Sequence, residues 1–166
     1  MKFLPCLVAA AFVALPLLPA CGQTNTPAHA PSRIELEDQF GQKQTLTFPA
    51  TNVTVLTIAD REGSKQVGEW AQTLDARFGS RIRLAGIADT HGAPWFVKGR
   101  ILSSLKKTYK HPVMIDWEGA VTSKFRCVPD AVNIFVFTPQ GELAARCDGP
   151  MKPESLQAIV AAVEKF

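Results

Sequence analysis

Two cysteines and one charged loop hold the chemistry that this chain could do. Cys127 and Cys147 flank the run VNIFVFTPQGEL, which alternates and turns like a β-hairpin. Antiparallel pairing would bring their α-carbons toward bonding range, so the pair reads either as a structural disulfide or as a centre cycling between dithiol and disulfide. Closing a loop of about twenty residues contributes roughly 3 kcal/mol in the chain-entropy model. Lys124, Arg126 and Arg146 stand close by in sequence and would lower the thiol pKa values. The charged loop is Asp60-Arg61-Glu62-Gly63-Ser64-Lys65. It reads as a helix cap with solvated neighbours, or as a recognition surface for a peptide or partner protein. His91 and His111, with Asp89 and Asp116, lack ligand spacing on a shared element, so no metal is expected. Gly63-Ser64-Lys65 lacks the upstream glycine of a phosphate-binding loop. No other cofactor is implied.

The elements that must position these groups follow from hydrophobic period. Val53 to Ile58 is a short β-branched run suited to a central strand. From Ser64, Val67, Trp70, Ala71, Leu74 and Phe78 recur at helical steps, and Gly79 follows as a C-cap. Asp60 or Ser64 can cap the other end, so the loop delivers backbone N–H groups and the positive end of a dipole to one surface point. Before this unit, Arg33 to Asp38 and Gln44 to Phe48 alternate about a turn and predict an edge hairpin. After it come a strand at Arg81 to Ile87, a helix at Trp95 to Lys107, a short strand at Val113 to Ile115 and a short helix near Ala120 to Phe125. The hairpin carrying the cysteines is next, and Pro153 opens a last amphipathic helix. Strand, helix, strand, helix favours right-handed parallel connections. Trp70, Trp95 and Phe135 sit in apolar-periodic settings and are expected in the core.

The chain ends bound the setting. Residues 1–20 carry one cation, Lys2, and a proline-broken apolar run, which predicts a signal peptide rather than a membrane span. Leu18-Pro19-Ala20-Cys21 resembles the lipobox of bacterial lipoproteins, which implies acylation at Cys21 and a membrane surface as partner. Gly22 after it resembles the pattern sorted to the outer membrane, so the expected location is the bacterial envelope, facing the periplasm. Residues 21–33 read as lipidated cysteine and polar tether, and 34–166 as one domain. The chain has a formal charge of +3, near +2 once Lys2 is removed, without a basic block that suggests nucleic acid. With Cys6 in the signal and Cys21 acylated, Cys127 and Cys147 are the remaining thiols, in a compartment that permits disulfides.

PVMIDWEGAVTSKFRC, then VNIFVFTPQGELAARCDG, then a terminal amphipathic helix resemble the second half of the thioredoxin-like redoxins, which include alkyl hydroperoxide reductase and the thiol-specific antioxidant proteins. Asp38-Gln39-Phe40-Gly41 resembles their N-terminal extension. The resemblance covers Ile34 to Phe166 and implies an α/β fold of three layers, a central mixed sheet with helices on both faces and an N-terminal β-hairpin extension. It places Glu62 and Lys65 where a thioredoxin carries its two cysteines, and Val132 or Ala131 at the family's cis-proline. A peroxidatic thiol would have to lie in the same loop, which holds none. The resemblance therefore implies a periplasmic member with a degenerate active site and a binding or accessory role, with an envelope protein or peptide as partner. The alternative is a thiol oxidoreductase or antioxidant redoxin acting through Cys127 and Cys147.

Overall fold

The computed structural model describes residues 28–166; the expected signal peptide, Cys21 and the start of the tether lie outside the described residues. The fold is built around β3 (Val53–Ala59), whose seven residues are all buried, as the β-branched run requires of a strand covered on both faces. β4 (Ile82–Asp89) and β5 (Met114–Asp116) lie parallel to it on one side. β6 (Asn133–Phe137) and β7 (Leu143–Asp148) are antiparallel on the other side, giving the order β5-β4-β3-β6-β7. The sheet is mixed, and the parallel connections expected for the first half are those around β3, β4 and β5.

Residue parity on the strands sorts the core into two halves. Val53, Val55, Ile134 and Val136 point to the side covered by α1 (Ser64–Phe78) and α4 (Pro153–Val163). There Trp70, Leu74 and Phe78 of α1 meet Ile159, Val160 and Val163 of α4. Trp70 also donates its indole N–H to the Gly149 carbonyl at 3.1 Å, as a buried tryptophan must find a partner. Leu56, Ile58, Phe135 and Phe137 point the other way, toward α3 (Thr122–Phe125) and the hairpin of β1 (Arg33–Glu37) and β2 (Lys43–Thr47). Phe125 and Phe135 have ring centroids 5.0 Å apart in that half, within the range of favourable aromatic pairs.

The β1–β2 hairpin forms its own two-stranded sheet and meets β5 through a bridge between Asp38 and Met114. Asp38 organises its turn, accepting from the amides of Phe40 and Gln42 at 2.8 and 2.9 Å. Gln39, almost fully buried, donates to the carbonyls of Tyr109 and His111 and accepts from the Val113 amide. It thereby fastens the segment that leads into β5.

Residues 28–30 are hydrogen-bonded to the β6–β7 turn: Leu143 donates to the Ala28 carbonyl at 2.8 Å and Ala30 to that of Gly141 at 2.7 Å. One expectation is corrected here. Trp95, expected in the core, is 82 % exposed. The predicted helix divides into a 3-10 turn, Trp95–Val97, and α2 (Lys98–Thr108). The turn swings both aromatic residues outward, because 3.0 residues per turn breaks the 3.6-residue phase that would have carried them inward. No helix among the described residues is long and apolar enough to cross a membrane.

Candidate functional site

The carboxyl ends of β3, β4 and β5 converge on one edge of the molecule, where open α/β sheets place their sites. At the end of β3 the charged loop is a tight turn. Asp60 accepts from the Gly63 amide at 2.8 Å through Oδ1, while its backbone carbonyl accepts from Ser64 at 2.9 Å. Asp60 thus closes the turn before α1, whose N-cap is Gly63 without a side-chain cap, rather than Asp60 or Ser64 as expected. Ser64 donates its hydroxyl back to the Arg61 carbonyl at 2.7 Å. Glu62 and Lys65 form an exposed ion pair at 2.5 Å, so opposite charges meet where the resemblance places two thiols. Such exposed pairs contribute about 1 kcal/mol at most.

The loop is stitched to the strand before β6. The second Asp60 oxygen accepts from the Asp130 amide at 2.6 Å, and Gln66 on α1 accepts from the Val132 amide at 3.2 Å. Gly63 lies so close that a β-carbon there would stand 2.3 Å from the Ala131 carbonyl oxygen. Asn133, almost fully buried, binds the carbonyls of Val128 and Ala131 and the Val128 amide. Val132 and Ala131 are the residues that the resemblance matches to the family's cis-proline. Among the described residues, however, the cis peptide is Phe48–Pro49, not one at 131 or 132.

Beneath this seam lies a cleft of about 640 Å³ whose rim carries Asp60, Asp89, His91, Glu118 and Arg126, with Cys127 and Asn133 on its wall. Asp89 accepts from both the His91 amide and Nδ1, the latter at 2.6 Å. That hydrogen bond, and then the carboxylate charge itself, raises the imidazole pKa above its ordinary 6.5. Behind the lining residues Ala120 and Thr122 lies Asp116, a buried carboxylate that accepts from the amides of Ala120, Val121 and Thr122 and from the Thr122 hydroxyl. A buried charge needs that many donors to be tolerated. Arg126, at a φ of +48°, ends α3 and turns the chain into Cys127.

The cysteines do not form the expected bridge. Cys147 on β7 stands opposite Ile134 and faces α1 and α4. Cys127 packs on the other face, in the half that holds Phe125, Phe135 and Phe137. The sheet itself separates them. The sequence argument placed both at the ends of one hairpin, but Cys127 lies upstream of β6 in the Asn133-bound loop, outside the antiparallel register. The neighbouring cations do not activate it either. Burial pushes the Cys127 thiol up to about 12, with Arg146 pulling down and Asp89, Asp116 and Asp60 pushing further up. Cys127 and Cys147 are thus both thiols, on opposite faces of the sheet.

Solved structures with the same architecture share little sequence with this chain. The exposed lipoprotein thioredoxin of Streptococcus pneumoniae superimposes with a TM-score of 0.61 at 14% identity, over 81% of this chain and 99% of that one. The fold is thioredoxin-like. Peroxidoxin BcpB of Mycobacterium tuberculosis gives 0.59 at 16% identity, over 85% and 98% of the two chains. The thioredoxin domain of a thiol-disulfide oxidoreductase from Bacteroides vulgatus gives 0.58 at 14%, over 83% and 97%. At these identities the likeness carries the thioredoxin-like fold alone. No family model and no curated protein matches the chain.

Asp60 and Gly63 were legible in sequence as residues of the loop before α1. Asn133, Asp130 and the Asp89–His91 pair were not, because each acts through a partner distant in sequence or through a local hydrogen bond that no motif encodes.

Proposed function

We propose that this chain is a thioredoxin-like lipoprotein of the bacterial envelope. It is tethered through Cys21, faces the periplasm from the outer membrane, performs no thiol exchange, and uses the edge formed by the β3–α1 loop and the adjoining cleft to bind an envelope protein or peptide. The observation that carries the reading is the Glu62–Lys65 ion pair at the positions of the family's two cysteines. The separation of Cys127 from Cys147 by the sheet supports it, and a lipobox-like run at 18–22 supports the anchor. The backbone of residues 130–132 is already hydrogen-bonded through the Asp130 and Val132 amides and the Ala131 carbonyl. A ligand is therefore taken up by side chains of the rim, chiefly Asp89, His91 and Glu118, and this favours a peptide or small group with cationic or hydrogen-bond-donating character.

Alkylation and mass spectrometry across thiol redox buffers test the absence of exchange. Both thiols should alkylate as reduced monomers after unfolding, whatever the buffer potential, and an insulin-reduction assay should show no turnover. Turnover that disappears with Cys127→Ser would overturn the reading. For binding, photo-crosslinkers placed at positions 62 and 91 in living cells should trap the same partner, and Glu62→Lys should weaken that complex without moving the melting temperature. Cys21→Ala should shift the protein from the membrane fraction to the soluble one.

A further inference from the structure

The segment from Thr90 to Ile115 contains Lys98, Arg100, Lys106, Lys107 and Lys110 and not one Asp or Glu. Its ends are fastened. Thr90 donates its amide and hydroxyl to the Asp116 carbonyl, and Gln39 holds Tyr109, His111 and Val113. Between these ends no residue of α2 is fully buried. Trp95 and Phe96 stand 82 % and 69 % exposed, edge to face with centroids 6.0 Å apart. Lys98 lies 4.8 Å from the centroid of the Trp117 ring. No ion pair among the described residues uses any of the five cations. Single exposed apolar residues are ordinary on protein surfaces, but two adjacent aromatics beside an unbalanced row of cations are not.

We propose that the 3-10 turn and α2 form a membrane-contacting element, in which Trp95 and Phe96 enter the headgroup layer of an anionic phospholipid bilayer and Arg100, Lys106, Lys107 and Lys110 meet the lipid phosphates. The chemistry is that of an interfacial element: aromatic rings prefer the headgroup level, and cations add attraction to an anionic surface. A protein or nucleic-acid partner is favoured less. The cleft beneath the β3–α1 loop is lined by no residue from 92 to 113, so the aromatic tips and cations of this surface stand apart from it. This inference does not depend on acylation at Cys21; it concerns the folded domain.

The test uses the mature chain carrying Cys21→Ser, which has no acyl group, so a negative result touches only this inference and leaves the tethered-lipoprotein reading standing. Partition onto phosphatidylglycerol vesicles should exceed partition onto phosphatidylcholine vesicles and should fall as salt is added. The double variant Lys106→Glu/Lys107→Glu should partition at least about 25-fold more weakly, at about fivefold for each cation removed. Phosphatidylglycerol with brominated acyl chains should quench the fluorescence of the wild type more than that of Trp95→Phe. Trp70 is buried and Trp117 is part-buried, and both are common to the two proteins. Equal partition onto the neutral vesicles, unchanged partition of the double variant at an unchanged melting temperature, or absence of a quenching difference would each overturn the inference. So would binding to heparin as tight as to the anionic vesicles, which would mark a general polyanion surface.

Discussion

The Asp60 carboxylate accepts from the Asp130 backbone amide at 2.6 Å, across seventy positions of sequence, and so locks the turn before α1 to the turn before β6. Asp130 has a φ of +59°, a left-handed conformation that aspartate tolerates better than most residues. Because the other Asp60 oxygen holds the Gly63 amide, one side chain serves both loops. Asp60→Ala should cost about 2 kcal/mol of stability, since two hydrogen bonds to a charged acceptor are lost and water can reach only part of the site. Asp60→Asn, which keeps one good acceptor oxygen, should recover about half of it. Chemical denaturation of the three proteins measures this; equal midpoints for Asp60→Ala and wild type would show that the two loops are held by packing instead.

Gly63 makes a prediction of opposite sign to helix propensity. Alanine is the better helix former at the edge of α1, and the backbone of Gly63 is already right-handed at φ −60°. Even so, the added β-carbon would stand 2.3 Å from the Ala131 oxygen and 2.8 Å from the Val132 nitrogen, and both are backbone atoms with little room to yield. Gly63→Ala should destabilise by about 1–3 kcal/mol, the usual range for overpacking, and should part the two loops. Gly68→Ala on the same helix, where a β-carbon meets nothing, is the control and should be neutral or stabilising. A calorimetric comparison of the pair decides the matter.

For Cys127 the prediction concerns reactivity. A thiol held at about 12 against an ordinary 9.0 has roughly a thousandth of the thiolate of an unperturbed cysteine near neutral pH. Labelling of Cys127 by iodoacetamide in the native protein should be slower than in urea by about that factor, and slower still where access is limited. The same shift has a stability consequence. The folded state keeps its proton above pH 9 while the unfolded state loses it, so stability is intact below pH 9 and falls as the pH rises toward 12. Cys127→Ser does not titrate in this range. The difference in stability between wild type and this variant should therefore be constant below pH 9 and shrink above it.

Much of the fold was legible because its signals are local. The β-branched run of β3, the helical period of α1 and the Pro-Gln-Gly turn between β6 and β7 are each decided within a few residues. The phase of Trp95 and Phe96 was not legible. A helical period fits them, and the 3-10 turn that exposes them is selected by how the chain is tied down at Thr90 and at Gln39. The thiols failed for a related reason: spacing along a hairpin says how far apart two residues lie, but which face each takes depends on where β6 begins, and Asn133 sets that by gripping Val128 and Ala131. Asp116 was visible as a residue and invisible as a scaffold, since its partners are amides of its own following turn.

His91 and Asp89 supply a switchable charge at the cleft rim. The hydrogen bond from Asp89 and then its charge lift the His91 pKa above 6.5, against a small opposing effect of burial. The pair's contribution to stability is therefore complete below pH 6.5 and is lost as the pH rises through the folded pKa. The side chain is largely exposed, so the stability effect is small, and the ring itself is the better reporter. An NMR titration of the imidazole protons, assigned with His91→Gln, should place the midpoint above 6.5, and Asp89→Asn should bring it down toward that value. If the rim recognises cationic groups, protonated His91 neutralises part of the Asp89 charge, so capture of the partner trapped from position 91 should strengthen as the pH rises through the His91 midpoint. Asp89→Asn should flatten that dependence. A midpoint at or below 6.5 in the wild type would remove the ion pair as the source of any pH response at this rim.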